Sequence, residues 1–139
     1  MSAENNKAAV RSFNEAFNAG DLDGAVAVFA PNAVIHNSGA PAPLNVEGFK
    51  QFGGVFLTAF PGGKLTIEDL IVDGDKIVSR ITYRGTHAGD MMGIPPTGKP
   101  VTVSAMIIDQ FSNGKIVESW RLFDQMSMMQ QLGVIPTPG

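Results

Sequence analysis

Cysteine is absent from the 139-residue chain, and histidine, tryptophan and tyrosine are scarce, with two, one and one residues respectively. Without cysteine, the protein forms no disulfide and has no thiolate to serve as a nucleophile or metal ligand. His36 and His87 do not form the closely spaced His-x-x-x-His or His-x-His pair that metal sites commonly use. We therefore expect no catalytic metal.

Charged residues are also few, at 17%, and they leave a formal net charge of -3. An acidic balance argues against a nucleic-acid partner, which would require a basic face. No uncharged apolar run approaches membrane-spanning length, and the N-terminus lacks the apolar core of a signal peptide. We expect a soluble, cytoplasmic protein without a nucleic-acid or membrane partner.

Hydrophobic residues, in contrast, make up 44% of the chain, which is typical of a globular protein. The length is that of a single domain, predicted to span residues 1–139.

The first half of the chain has helical spacing. Apolar residues three and four positions apart predict an amphipathic helix over 4–19, followed by Gly20. Asp21 is predicted to cap a second short helix over 22–30, and the segment 33–36 is short and β-prone. A third helical pattern begins at Val46 and ends before Pro61. Its apolar face contains Phe49, Phe52, Phe56, Leu57 and Phe60.

The second half predicts an antiparallel sheet. Strands over 64–72, 76–86, 100–111 and 114–124 are linked in part by turn sequences, and a helical pattern over 125–132 follows. Helices followed by hairpin-linked strands predict an α+β domain.

Alternation in the last strand separates two rows of side chains. One row contains Ile116, Glu118, Trp120, Leu122 and Asp124, and the other contains Val117, Ser119, Arg121 and Phe123. If the first row faces a core or cavity, Asp124 is either a buried, hydrogen-bonded carboxylate or a general base with a shifted pKa.

The segment Gly93-Ile-Pro-Pro-Thr-Gly-Lys99 resembles a phosphate-binding loop only superficially. Pro100 occupies the position of the hydroxyl that would bind magnesium, and a strand follows where a helix is required. We predict instead a loop over 88–99 between two strands. Met91 and Met92 in this loop suit a flexible lid over an apolar pocket, although a plain hairpin connection is equally compatible.

Several segments resemble the SnoaL-type polyketide cyclases of the nuclear transport factor 2-like superfamily. They are Phe17-Asn-Ala-Gly-Asp-Leu-Asp23, Ala33-Val-Ile-His36, Tyr83-Arg-Gly-Thr-His87, Gly93-Ile-Pro-Pro-Thr-Gly-Lys99, Gly114-Lys-Ile-Val-Glu-Ser-Trp-x-x-x-Asp124 and Gln131-Leu-Gly133. The resemblance implies a cone-shaped barrel: a strongly curved, mixed or antiparallel sheet packed against three N-terminal helices around a deep apolar cavity.

The same resemblance implies a cofactor-independent enzyme. A base, at the position of Asp124, would remove a proton next to a carbonyl, and the enolate would close a ring by an intramolecular aldol reaction. His87 and His36 are the candidates for assisting proton transfer. The candidate substrate-binding residues are Trp120, Leu122, Tyr83, Phe56, Phe60, Met91, Met92 and Gln110.

Three other functions compete with the cyclase. A non-catalytic domain binding a small apolar ligand is the principal alternative. Epoxide hydrolysis would require Asp109 and Asp124 to act with Arg84 or Arg121. A ketosteroid-isomerase-like activity would require an acid beside Tyr83. Apolar residues on the second face of the sheet, such as Val117 and Phe123, further predict a homodimer.

Overall fold

The computed structural model describes residues 3–136. The helices are α1 (Ala3–Asn18), α2 (Leu22–Val26), α3 (Val46–Ala59) and α4 (Gln125–Leu132). The strands are β1 (Phe29–Asn37), β2 (Lys64–Asp73), β3 (Lys76–Thr86), β4 (Pro100–Ser112) and β5 (Lys115–Phe123).

The strands form one open mixed sheet in the order β1-β5-β4-β3-β2. β2 to β5 are antiparallel neighbours, whereas β1 lies parallel to β5 at one edge. The hairpin between β4 and β5 turns at Asn113 and Gly114, with φ of 52° and 79°. Positive φ at both positions is what a type I′ turn requires, and asparagine followed by glycine adopts it readily. The predicted α+β class is confirmed.

One face of the sheet is covered by helices and carries the core. Along β4, Val101, Val103, Ile107, Asp109 and Phe111 are buried, and the residues that alternate with them are exposed or half-buried. Aromatic rings from α1, β1 and α3 pack above this face. No helix within residues 3–136 has the length and apolar character needed to cross a membrane.

The second helix is shorter than predicted. It ends at Val26, and Phe29 and Ala30 already belong to β1. Asp21 does cap the helix, accepting a hydrogen bond from the Gly24 N–H at 2.9 Å. The helix stops early because Ile116 of β5 donates its N–H to Val28 O at 2.9 Å, which places the following residues beside β5. That pairing is distant in sequence and has no local signature.

A β-bulge reverses the predicted orientation of β5. Gln110 of β4 lies opposite Glu118 and Phe111 lies opposite Ile116, so Val117 is the extra residue. Ile116 is buried before the bulge, and Ser119 is buried after it. An extra residue in one strand shifts every later side chain to the other face of the sheet. The predicted row that placed Trp120 and Leu122 with Ile116 is therefore wrong.

Two glycines should respond oppositely to alanine. A Cβ on Gly54 in α3 would meet only Leu22 Cδ1, at 3.7 Å, whereas a Cβ on Gly89 would overlap the carbonyl oxygen of Thr58. We expect Gly54→Ala to raise the free energy of unfolding by about 1 kcal/mol. We expect Gly89→Ala to lower it by about 1–3 kcal/mol, because the backbone must move. Urea unfolding of both variants checks this; shifts of the same sign would contradict it.

Candidate functional site

An apolar cavity of about 110 Å³ lies between α1, α3 and the inner face of the sheet. Its aromatic wall consists of Phe13, Phe17, Phe49, Phe52, Phe56 and Phe123. Aliphatic side chains of β2 to β4 complete it, including Leu65, Ile81 and Val103. Asn37, Tyr83 and Arg121 bring polar groups to this wall. Such a cavity suits a small apolar ligand with a few polar atoms.

Among residues 3–136, Arg121 is the one cation on the cavity wall. Its side chain is 12% exposed, and its guanidinium carbon lies 4.9 Å from the ring centre of Phe13 and 5.0 Å from that of Phe49. Both distances are within the range of cation–π attraction. The guanidinium is thus held between aromatic rings, and those rings supply part of the stabilisation that water would otherwise give.

Asp109 is the acidic partner of Arg121. Its side chain is 4% exposed, and Oδ1 lies 3.8 Å from Arg121 Nη1, which is beyond hydrogen-bond length. Arg121 Nη1 donates instead to Ser119 Oγ at 3.3 Å. Asp109 Oδ1 has no hydrogen-bond partner among residues 3–136. A buried carboxylate oxygen left without a donor is costly and marks a functional candidate.

Burial disfavours the charged forms of both residues, and the charge of each residue opposes that effect on the other. Burial raises the pKa of Asp109, and the Arg121 charge and Ser119 oppose that rise. Burial also lowers the pKa of Arg121, and the Asp109 charge opposes that fall. Each charge therefore favours the ionised form of the other, as expected for charges in a low-dielectric interior.

A smaller void of about 20 Å³ adjoins the cavity. Its polar lining comes from Asn14, Ser79, Asp109 and Arg121. The void and the cavity share walls formed by Phe13, Leu65, Ile81, Ile107 and Arg121. Arg121 thus borders both spaces, whereas Asp109 borders the smaller one.

Tyr83 and Phe56, two of the candidate substrate-binding residues, line the cavity. The Tyr83 hydroxyl is buried without a hydrogen-bond partner in the described chain, and burial raises the pKa of Tyr83 to about 12. The phenol therefore stays neutral at ordinary pH. No acid accompanies it on the wall of the cavity within residues 3–136, so the ketosteroid-isomerase arrangement lacks its second donor.

Asp124 does not border the cavity, and the prediction that it faces inward is wrong. It is exposed and caps α4, accepting a hydrogen bond from the Ser127 N–H at 3.0 Å on Oδ1. The strand ends at Phe123 and the helix begins at Gln125, so Asp124 occupies the intervening cap position. Since Asp109 is buried on the inner face, the two aspartates do not form the pair that epoxide hydrolysis would require.

Neither histidine lines the cavity. His36 lies on the outer face, with Nε2 2.7 Å from Glu118 Oε2 and its ring stacked on Trp120 at 5.6 Å. His87 is fully buried, and its Nδ1 accepts a hydrogen bond from the Thr97 N–H at 3.2 Å. His87 therefore carries its proton on Nε2 when neutral. This hydrogen bond links His87, just before the loop over 88–99, to Thr97 near the end of that loop.

The loop over 88–99 is anchored to the body of the protein. Ala88 and Gly89 donate their N–H groups to Ala59 O at 2.9 and 3.1 Å. Met91 is fully buried and Met92 is 55% exposed, and neither lines the cavity. The prediction that these methionines form a lid over the pocket is therefore wrong, since the loop packs beyond the end of α3.

Three further predicted ligand contacts are not on the cavity wall, and one is at its margin. Phe60 is fully buried beside Tyr83 and His87. Gln110 lies on the outer face because it alternates with the buried Asp109 and Phe111 along β4. Trp120 lies there because it follows the bulge in β5. Leu122 touches the rim of the cavity but is 67% exposed.

The sequence indicates Asp109 and Arg121 as site residues only for epoxide hydrolysis and does not predict that they pair beside the cavity. A signal for Asp109 exists, because it shares its phase along β4 with Val101, Val103, Ile107 and Phe111. A lone carboxylate in an otherwise apolar row is the pattern of a buried functional acid. Arg121 carries no comparable signal, since the bulge at Val117 conceals its phase. In residues 3–136, no group of three His, Asp or Glu side chains is placed to hold a metal.

The cap role of Asp124 is testable without a substrate. We expect Asp124→Ala to lower the free energy of unfolding by about 1 kcal/mol, because the N–H groups at the start of α4 lose their acceptor. Asp124→Asn should leave stability within a few tenths of a kcal/mol, since asparagine caps equally well. Thermal unfolding of the two variants provides the measurement. Equal losses for both would refute the cap and point to a role for the charge.

The chain is similar to known proteins in both sequence and structure. The family described as SnoaL-like polyketide cyclase matches residues 7–132. AclR, a candidate hydroxylase from Streptomyces galilaeus, superimposes with a TM-score of 0.90 at 27% identity, covering 99% of this chain and 87% of AclR. IdmH, a candidate polyketide cyclase from Streptomyces antibioticus, gives 0.80 at 33% identity, covering 92% and 98%.

A candidate polyketide cyclase from Acidithiobacillus ferrooxidans gives a TM-score of 0.80 at 29% identity, covering 96% of this chain and 99% of its own. A search of curated protein sequences finds no match. The family match covers most of the chain, and the inner-face cavity is formed within the matched residues. The chain belongs to the SnoaL-like polyketide cyclase family.

Proposed function

We propose that this protein is a cofactor-independent acid–base enzyme acting on a small apolar, carbonyl-bearing molecule of polyketide type. It removes a proton next to a carbonyl and promotes intramolecular aldol closure. Family membership supports the general class. The observation that carries the proposal is the buried Asp109–Arg121 pair, in which Arg121 lines the apolar cavity and Asp109 borders the adjoining void.

Arg121 is the group that would bind the carbonyl oxygen of the ligand. Proton removal moves negative charge onto that oxygen, and a fixed cation beside it stabilises the enolate more than the ketone. The cavity lining is mostly apolar, and a low local dielectric strengthens this interaction. Phe13 and Phe49 hold the guanidinium in place before the ligand arrives.

Asp109 is the carboxylate that would accept the proton. Asp109 borders the smaller void, and Arg121, Phe13 and Ile107 border both that void and the cavity. Burial raises the pKa of Asp109, which makes its carboxylate a stronger base, and the Arg121 charge opposes that rise. An acidic carbon that reaches the smaller void would meet Asp109 Oδ1.

The remaining wall would fold the substrate. Ring closure requires two distant carbons of a flexible chain to meet, and an enclosing apolar wall meets much of that entropic cost on binding. The Tyr83 phenol, neutral and without a partner in the described chain, contributes its ring to this wall.

A non-catalytic ligand-binding protein is the second candidate. The observation favouring it is that no Asp or Glu of the described residues lines the larger cavity directly. The two candidates differ in whether a bound carbonyl compound exchanges its α-hydrogen.

Replacing Asp109 separates these candidates. We expect Asp109→Asn to reduce exchange of the α-hydrogen of a bound diketone for deuterium by roughly 100-fold or more, because the base is lost. Asp124→Asn is the matched control, with the same chemical change outside the cavity, and should retain the wild-type rate. NMR in D₂O measures both. Loss of exchange in Asp124→Asn alone would return the base to Asp124, and no exchange in the wild type would favour the binding protein.

The pH dependence of exchange should report on Arg121. A base acts when ionised, so the rate rises with pH through the pKa of Asp109. Arg121 lowers the pKa of Asp109, so Arg121→Met should move this acid limb to higher pH. Arg121→Lys, which keeps the charge, should leave the limb near its wild-type position. Circular dichroism must confirm folding of both variants, and an unmoved limb in Arg121→Met would exclude the pairing.

For the partner, we propose a homodimer formed by the outer face of the sheet. Val117 and Phe123 were predicted to lie on this face. Phe123 instead lines the cavity, and Val117 is the extra residue of the bulge. The exposed apolar residues are instead Val34, Ile71, Met106, Ile108, Trp120 and Leu122. Met106 of β4 lies opposite Leu122 of β5, so these two exposed side chains are neighbours at the middle of the face. A two-fold axis along β4 would bury this apolar face against its copy.

Charge on this face should break the dimer. We expect the double variant Met106→Glu/Leu122→Glu to sediment as a monomer at micromolar concentration, because two carboxylates would be buried against their copies. Val134→Glu, another exposed apolar residue outside the sheet, is the matched control and should stay dimeric. A monomeric wild-type protein would overturn the proposal.

A further inference from the structure

The smaller void beside Asp109 has the size and polarity of a water site. Its volume of about 20 Å³ exceeds the roughly 10–15 Å³ that one water needs on the same measure. A buried water also needs two to four polar partners. Asn14, Ser79, Asp109 and Arg121 all border the void. An apolar void of this size would stay dry, so the polar lining is the decisive feature.

Asp109 supplies an independent reason for a water there. Its Oδ1 is buried, lacks a hydrogen-bond partner within residues 3–136, and lies too far from Arg121 Nη1, at 3.8 Å, to accept from it. A water in the void would donate to this oxygen and remove the cost of leaving it unpaired. The same contact makes the carboxylate a base positioned against water.

We propose that this void holds one water that Asp109 activates, and that the enzyme adds water reversibly to an apolar α,β-unsaturated ketone in the cavity. This inference rests on the proposed function, because it uses the same base and the same carbonyl-binding cation. It differs in the bond that forms, which is carbon to oxygen rather than carbon to carbon. A ligand that fills the cavity without entering the void leaves the water between itself and Asp109.

The reaction balances without a cofactor. Asp109 takes one proton from the water, and the water oxygen bonds to the β-carbon. The electron pair of the carbon–carbon double bond moves toward the carbonyl oxygen, and Arg121 stabilises the enolate. The proton on Asp109 then passes to the α-carbon, which restores the ketone and the carboxylate. The net change is addition of H and OH across the double bond.

The β-hydroxy ketone that results is also the kind of product that an aldol closure makes. The reverse reaction would therefore remove water from a newly closed ring, and the void would receive the departing water. A reaction that consumes a conjugated cyclic ketone would then follow this enzyme.

A crystal structure at a resolution that resolves waters tests the site itself. We expect one ordered water within hydrogen-bond distance of Asp109 Oδ1, bound also by at least one of Asn14, Ser79 and Arg121. An empty void in such a structure overturns the proposal. This measurement needs no substrate and no variant.

The activity is tested with a panel of cyclic and open-chain enones and the matching β-hydroxy ketones. Mass spectrometry follows the gain or loss of one water, and absorbance follows the conjugated ketone. We expect turnover in the wild type and a loss of at least tenfold in Ser79→Val, whose added bulk fills the void. Ser104→Val, the same change on the exposed outer face of β4, should retain the wild-type rate.

The same samples, run in D₂O, distinguish failure of this inference from failure of the proposed function. Exchange of the α-hydrogen of a saturated diketone without hydration of any enone overturns the water chemistry and leaves the proposed function intact. Hydration in Ser79→Val at the wild-type rate also overturns it, since the water would then come from elsewhere. Folding of Ser79→Val is checked by circular dichroism, with Ser79→Ala, which cannot overfill the void, as the second variant.

Discussion

The interaction on which the site depends is the attraction between two charges in an apolar interior. Asp109 and Arg121 lie on adjacent strands, and the charge of each opposes the effect of burial on the pKa of the other. Phe13 and Phe49 hold the guanidinium, so α1 and α3 contribute to the position of a charge on β5. A buried ion pair is weak evidence of stabilisation, because desolvation offsets most of the attraction. Its retention beside a cavity fits a functional role better than a structural one.

The position of that pair depends on a single extra residue. Val117 interrupts the alternation of β5, and the side chains after it exchange faces. Arg121 therefore points toward the helices and Trp120 toward the outside. The protein gains an internal cation and an aromatic outer face from the same backbone irregularity. Bulges next to functional sites are a recurrent means of directing a side chain.

Much of the architecture can be predicted from residues close together in the sequence, whereas the site cannot. The turn at Asn113-Gly114, the cap at Asp21 and the limits of β3 are encoded within a few residues, so they were predictable. The parallel pairing of β1 with β5 joins distant segments, and the early end of α2 depends on it. The bulge depends on how β5 meets β4, which alternation within one strand does not reveal. Because strict alternation along β5 is wrong by one residue after the bulge, the sequence prediction places Asp124 inside and Arg121 outside.

Trp120 has a practical consequence as the single tryptophan of the chain. It lies 38% exposed on the outer face, with its ring stacked on His36 and away from the cavity wall. Its emission will therefore be nearly insensitive to a ligand that enters the cavity. It will instead respond to whatever covers the outer face. Intrinsic fluorescence of this protein is a reporter of its surface, and a ligand assay must take its signal from the ligand.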